Sequence, residues 1–292
     1  MTAIFKREFR DYFSSLFGWI FIAALALAGG VISVALNIFS GSADFGVMFS
    51  VLPEVLLFLL PFLACQTFTR EHTMHNRLWL ASLPVRQGRL VLGKYAAMLA
   101  LFLLPTALLA VFPPLLANFG AVSYGSAYAA LAGYVLMGCA LTAICGFAAA
   151  CLHSRVVSVI VNLVLCAAIY LAPVAANLCA RWPWFGLILG ALACVGAGLW
   201  PVLRHRRVVA GILTAGIPLA VLVALYFLLP ALYGSFLPEL LNACSLVGLL
   251  GGFTIGHFDL PTAVYYLSLA VLFVFLTVQL QIKPERKGGD PR

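Results

Sequence analysis

Gly88, Gly93 and Lys94, in the stretch QGRLVLGKYAA at residues 87–97, stand at the spacing of the phosphate-cradling loop G-x-x-x-x-G-K-[ST]. That chemistry needs backbone amides wrapped around a phosphate, a lysine on its oxygens and a Ser or Thr hydroxyl on magnesium. Here Tyr95 occupies the hydroxyl position, and Arg89-Leu90-Val91-Leu92 is too bulky to wrap a phosphate. The stretch reads instead as a cytoplasmic helix turning into a membrane span, with Arg86, Arg89 and Lys94 near lipid headgroups and Gly93 permitting close packing. His72 and His75 beside Glu71 share a helix face, but H-E-x-x-H is absent and no third ligand is near. His257 and Asp259 form no nucleophile constellation and are expected to cap the last helix or lie in the headgroup layer. No catalytic, cofactor-binding or metal-binding set emerges, and the chain is read as non-enzymatic.

The elements that position these residues follow from composition. Of 292 residues 64% are hydrophobic and 9% charged, against roughly 25% charged in soluble domains. Runs of about 20 apolar residues match helices that cross about 30 Å of hydrocarbon, and the alternation of a membrane barrel is missing. An all-α, polytopic integral membrane protein is implied. Its net charge of +8 resides in short loops, so it reports topology rather than nucleic-acid binding. The eight cysteines lie in or beside apolar runs with no C-x-x-C pair, so neither a zinc site nor a disulfide framework is indicated and they read as small core residues.

Residues 1–16 put Phe5, Phe9, Tyr12, Phe13 and Leu16 on one side of a helix and Lys6, Arg7, Glu8, Arg10 and Asp11 mainly on the other, the pattern of an amphipathic helix in the membrane surface. A cleavable leader fits less well, because the apolar run continues to Phe39 and the leader would carry two acids. Eight spans are expected, at 17–39, 47–69, 95–117, 127–151, 156–179, 184–203, 208–229 and 263–282, in one transmembrane domain over 1–292. With a cytoplasmic N-terminus every Lys and Arg except Arg181 falls inside, and the tail 283–292 is also cytoplasmic. The stretch 230–261, broken by Pro230, Pro238, Gly251, Gly252 and Gly256, reads as short external or re-entrant helices.

Two polar features remain. Glu54, near the outer end of the second expected span, is the one ionisable candidate in the spans, either an interfacial group or a functional one. The long cytoplasmic segment 70–94 has charged ends around Leu78, Trp79, Leu80 and Leu83, closed by Pro84, and such an apolar patch outside the bilayer needs a soluble partner or the lipid surface to cover it.

The blocks IFKREFRDYFSSLFGWIFIAALALAGGV, TREHTMHNRLWLASLPVRQGRLVLGKYAAML and GHFDLPTAVYYLSLAVLFVFLTVQLQ resemble the membrane subunit of ABC-2 type transporters, in particular the gliding-motility (GldF-like) permease group, over roughly residues 1–180 and 240–283. The resemblance implies a six-helix core plus an extra helix pair at 184–229. It also implies a homodimer or a heterodimer with a paralogous permease, seated on two separate ATP-binding cassette subunits that bind ATP and magnesium. It makes Phe5, Lys6, Arg7, Glu8, Phe9 and Arg10 part of a connecting helix. It assigns ATPase coupling to Arg70, Glu71, Arg77, Leu78, Trp79, Leu80, Leu83, Pro84 and Val85, with a second contact at Leu152, His153, Ser154 and Arg155. Of the family's E-E-x-x-x-G-T-x-x-x-L-L-x-S-P-V block, Glu71, Leu80, Pro84 and Val85 match, whereas Arg70 replaces a Glu and His75-Asn76 replace Gly-Thr. The implied function is plasma-membrane transport, export of lipid-like or amphipathic molecules being one fit. Force transmission to an external accessory protein without a cargo and an ATP-independent membrane scaffold are the alternatives.

Overall fold

A computed structural model describes residues 2–39, 45–69, 87–117, 123–152, 154–182, 184–188, 190–191, 216, 218 and 238–282. Among these there is no strand. The helices are α1 (Thr2–Ser14), α2 (Leu16–Ser33, extended by a π-helical turn at Val34–Ile38), α3 (Gly46–Phe68), α4 (Gln87–Leu109), α5 (Phe112–Leu116), α6 (Tyr124–Cys151), α7 (Arg155–Arg181), α8 (Leu246–Leu249), α9 (Gly251–Thr254) and α10 (Leu260–Ile282). Six segments are long and apolar enough to cross a membrane: Leu16–Asn37, Gly46–Phe68, Gly88–Leu115, Tyr124–Cys151, Arg155–Arg181 and Leu260–Gln281. These correspond to six of the eight expected spans. The remaining pair, 184–229, falls almost wholly outside the described residues.

The chain forms two compact units, Met1–Ala168 with Leu249–Arg292, and Ile169–Gly248. The first unit is organised around α6. In the window that would cross the bilayer, 72% of α6 is buried, against 22% for α2, α7 and α10. Its sequence explains this position, because with no water to drive helices together their association relies on close van der Waals packing, which small residues allow. Gly133, Gly138 and Gly146 leave hollows filled by the rings of Phe253 (α9), Phe102 (α4) and Phe68 (α3), and a Cβ at any of the three would press on the ring. Between these knobs Tyr134 packs against Phe49 and Phe102, with ring centroids at 5.3 and 5.6 Å.

Consecutive long helices alternate in direction, and the contacts between helices define two ends of the unit. At one end the start of α4 meets the end of α10, with Gly88 against Val278, and meets α1, with Gly93 against Ile4. At the other end the close of α4 meets the close of α2 and the start of α6, where Tyr128 donates to the Ala110 carbonyl at 3.5 Å. Both α1 and the end of α10 therefore lie at the same end of the bundle. The segment expected to be external or re-entrant contributes the short helices α8 and α9. Gly256, with φ of +93°, lets the chain turn back tightly against Ser126 at the start of α6. Asp259 directly precedes α10; its backbone carbonyl accepts the Ala263 N–H at 3.1 Å and its carboxylate accepts the Thr262 hydroxyl at 2.5 Å.

Proline shapes two of the helices. Pro53 and Pro61 lie inside α3, which continues through both although each removes a backbone donor. The Pro113-Pro114 pair marks the break between α4 and α5. On α7, Ser158, Asn162 and Cys166 form a buried row at helical spacing, and Cys166 approaches Cys145 of α6 with a sulfur–sulfur distance of 3.6 Å. A variant retaining only these two cysteines is expected to form an intramolecular disulfide on copper–phenanthroline oxidation in membranes. The product is read as a mobility shift reversed by dithiothreitol, and a pair of Cys139 with Cys166 serves as the negative control.

Candidate functional site

The cationic end of the first unit is assembled around the C-terminus of α3. The last carbonyls of a helix have no intrahelical donor, and they carry the negative end of the helix dipole. Lys94 of α4 answers both facts. Its ammonium donates to the Thr67 carbonyl at 2.9 Å and lies 5.5 Å from the centre of the Phe68 ring, and the side chain is only 1% exposed. A buried ammonium is tolerated where a carbonyl, a helix C-terminus and an aromatic face replace water.

The same turn of α3 is held from three more directions. The Thr67 hydroxyl donates to the Leu63 carbonyl at 2.8 Å, so in its bond with the Tyr12 hydroxyl of α1 it is the acceptor. The Cys65 thiol donates to the Arg155 carbonyl at 3.3 Å, tying α3 to the first residue of α7, and receives the Thr69 hydroxyl at 3.6 Å. Next to Lys94 on α4, the Tyr95 hydroxyl donates to the Cys139 carbonyl of α6 at 2.8 Å.

Helix α1 approaches this cluster by two tight contacts. Ser15 has an extended backbone (φ −97°, ψ 145°) that separates α1 from α2, and Gly18 lets α2 start directly against the Tyr12 backbone. Gly93 lets α4 pass α1, since a Cβ there would lie 2.9 Å from Ile4 Cγ2. Ile4, Glu8 and Tyr12 fall on one row of α1, whereas Phe5, Phe9 and Phe13 stack along the next, at 5.5 and 5.0 Å, and end against Trp19 of α2. Lys6, Arg7 and Arg10 are exposed.

Of the residues expected to matter, Phe5, Lys6, Arg7, Glu8, Phe9, Arg10, Ser154 and Arg155 fall at this end. Arg70, Glu71, Arg77, Leu78, Trp79, Leu80, Leu83, Pro84, Val85 and His153 lie outside the described residues. Their segment is nevertheless bracketed, because Thr69 and Gln87 at its two borders belong to the helices that Lys94 joins. Glu54 is elsewhere, an exposed residue two turns into α3. The Gly88–Lys94 stretch forms the first turns of α4 rather than a loop. Lys94 corrects one expectation, for it is sealed inside the protein and is not among the headgroups. The pair Tyr12 and Thr67 was not anticipated as a unit; the available signal was a lone lysine between Val91 and Ala97, both buried, which must find a carbonyl. Among the described residues no group of three or more His, Cys, Asp or Glu could hold a metal.

Fold and cluster together define a multi-pass helical membrane protein whose spans are fastened at one cation-bearing end. No family model matches the sequence, and no curated protein or solved structure matches it either.

Lys94→Met removes the α3 cap and leaves the Thr67 carbonyl without its donor. It is expected to lower stability by about 1–3 kcal/mol, and Tyr12→Phe by about 0.5–1.5 kcal/mol. SDS titration of the purified protein in mixed micelles measures both, and because the two groups meet on Thr67 the double variant should lose less than the sum of the single losses.

Proposed function

We propose that this chain is the membrane-spanning subunit of an ABC-2 type transporter of the plasma membrane, moving a lipid-like or amphipathic substrate with energy from separate ATP-binding cassette subunits. The three sequence blocks that resemble such permeases motivate the reading. The observation that carries it furthest is mechanical: the segment 70–86 leaves from Thr69 and returns at Gln87, and the two helices it joins are bolted together by Lys94 and to α1 by Tyr12.

On this reading the cationic end faces the cytoplasm, since Lys6, Arg7, Arg10, Arg89, Lys94 and Arg155 gather there while Arg181 closes the opposite end of α7. Helix α1 is the amphipathic connecting helix, with Phe5, Phe9 and Phe13 toward lipid and Lys6, Arg7 and Arg10 among headgroups. An additional span pair at 184–229 would bring the total to eight and leave both termini on the same side. ATP-driven closure of two cassettes pushes 70–86, and α1, α3 and α4 move with it as one body. A dimer of such subunits then switches between two packings, driven by the different contacts the cassettes make with each. The chain itself performs no chemistry.

Trp79→Asp and Leu83→Asp each place a charge in the apolar patch of that segment. When the chain is co-expressed with any ABC-signature ATPase that an adjacent reading frame encodes, each is expected to lower co-purification of the ATPase about tenfold or more. Membrane insertion and yield should stay unchanged, and vanadate-sensitive ATPase activity of the complex should fall in parallel. Undiminished co-purification with both variants would refute this docking surface, and the lack of any such ATPase would favour a scaffold.

A further inference from the structure

At the same end of the bundle, a cleft of ≈ 200 Å³ opens between the starts of α2 and α7 and the last turns of α3. Its walls are Phe17, Phe62, Cys65, Val156 and Val159, and the polar residues on its lining are Gln66 and Arg155. The polarity is graded with depth. Arg155 is the first residue of α7 and Gln66 lies in the last turn of α3, whereas Val159 and Phe62 sit one turn further in, about 6 Å along each helix. Arg155 is exposed, and no described acidic side chain pairs with its guanidinium. Its backbone is fixed, because its carbonyl accepts the Cys65 thiol.

A cation at the ends of the helices, with an apolar trough descending from it, has the layout of one phospholipid: phosphate at headgroup depth and acyl chain beside the spans. Basic recesses between membrane helices select anionic headgroups, because a guanidinium offers a fork of donors that fits phosphate oxygens. We propose that this cleft holds an anionic phospholipid, its phosphate on Arg155 and Gln66 and the first part of one acyl chain between Phe17, Phe62 and Val159. The site gives Arg155 a lipid ligand instead of the ATPase contact that the family resemblance suggests for it, and it stands whether or not the chain is a transporter subunit.

Native mass spectrometry of the protein released from nanodiscs of mixed phosphatidylglycerol and phosphatidylcholine tests this directly. The wild type is expected to retain phosphatidylglycerol in preference to phosphatidylcholine. Arg155→Gln should reduce that preference about fivefold, Arg155→Lys should keep most of it, and Val159→Trp, which fills the trough without touching the charge, should reduce retention of either lipid. Arg181→Gln, a charge change outside the cleft, should have no effect. Millimolar inorganic phosphate should not displace the lipid. Equal retention of the two lipids by the wild type, a preference that survives both Arg155→Gln and Val159→Trp, or displacement by free phosphate would each overturn the proposal. Co-purification with an ATPase is read separately, so failure here leaves the transporter reading standing, and the reverse holds too.

Discussion

One ammonium group at the end of one helix governs how this end of the molecule is built. The Lys94 side chain caps the Thr67 carbonyl while enclosed by protein, where a charge without partners would be very costly. Its environment is therefore over-specified: a helix C-terminus, a carbonyl and the Phe68 face converge on it. That convergence fixes α4 against α3. With this pair set, Thr67 presents its hydroxyl to Tyr12, Cys65 reaches the start of α7, and Tyr95 points to Cys139. A polar knot of this kind gives register to helices whose apolar surfaces alone would slide, since lipid tails solvate Leu and Val as well as another helix does.

Much of the architecture was legible from composition, because a span is a matter of length and hydropathy and both are written along the chain. The six spans in the described residues fall within a few positions of their expected limits, apart from the third, whose helix begins at Gln87 rather than Tyr95. The reason is that Arg89 and Lys94 read as cations on a cytoplasmic helix near the headgroups, although a lysine can enter a span once a neighbouring helix end supplies its counter-dipole. That Asp259 stands at the start of the last helix was readable because helix starts are marked by local residue types. The cluster of Tyr12, Thr67 and Lys94 was not, since it joins residues up to 82 positions apart, Tyr12 to Lys94, and only the three-dimensional path of the chain brings them together.

The central place of α6 has the same character. Its glycines at 133, 138 and 146 are visible in the sequence, but that they receive Phe253, Phe102 and Phe68 depends on three other helices arriving in register. By contrast α7 buries Ser158, Asn162 and Cys166 along one row and leaves Val156 and Val164 at 69% and 61% exposure. Its outward surface is as apolar as the lipid it is expected to meet, which separates a helix that organises the bundle from one that borders it.

The prolines of α3 give this arrangement a mechanical grain. Pro61 offers no N–H to the Leu57 carbonyl, so the ladder of backbone bonds lacks a rung one and a half turns before Thr67. A rod with a missing rung flexes there at less cost than elsewhere. On one side of that gap Phe49 packs on Tyr134 of α6, and on the other Phe68 seats in the Gly146 hollow of the same helix, so any bend at Pro61 pivots between two points anchored on α6.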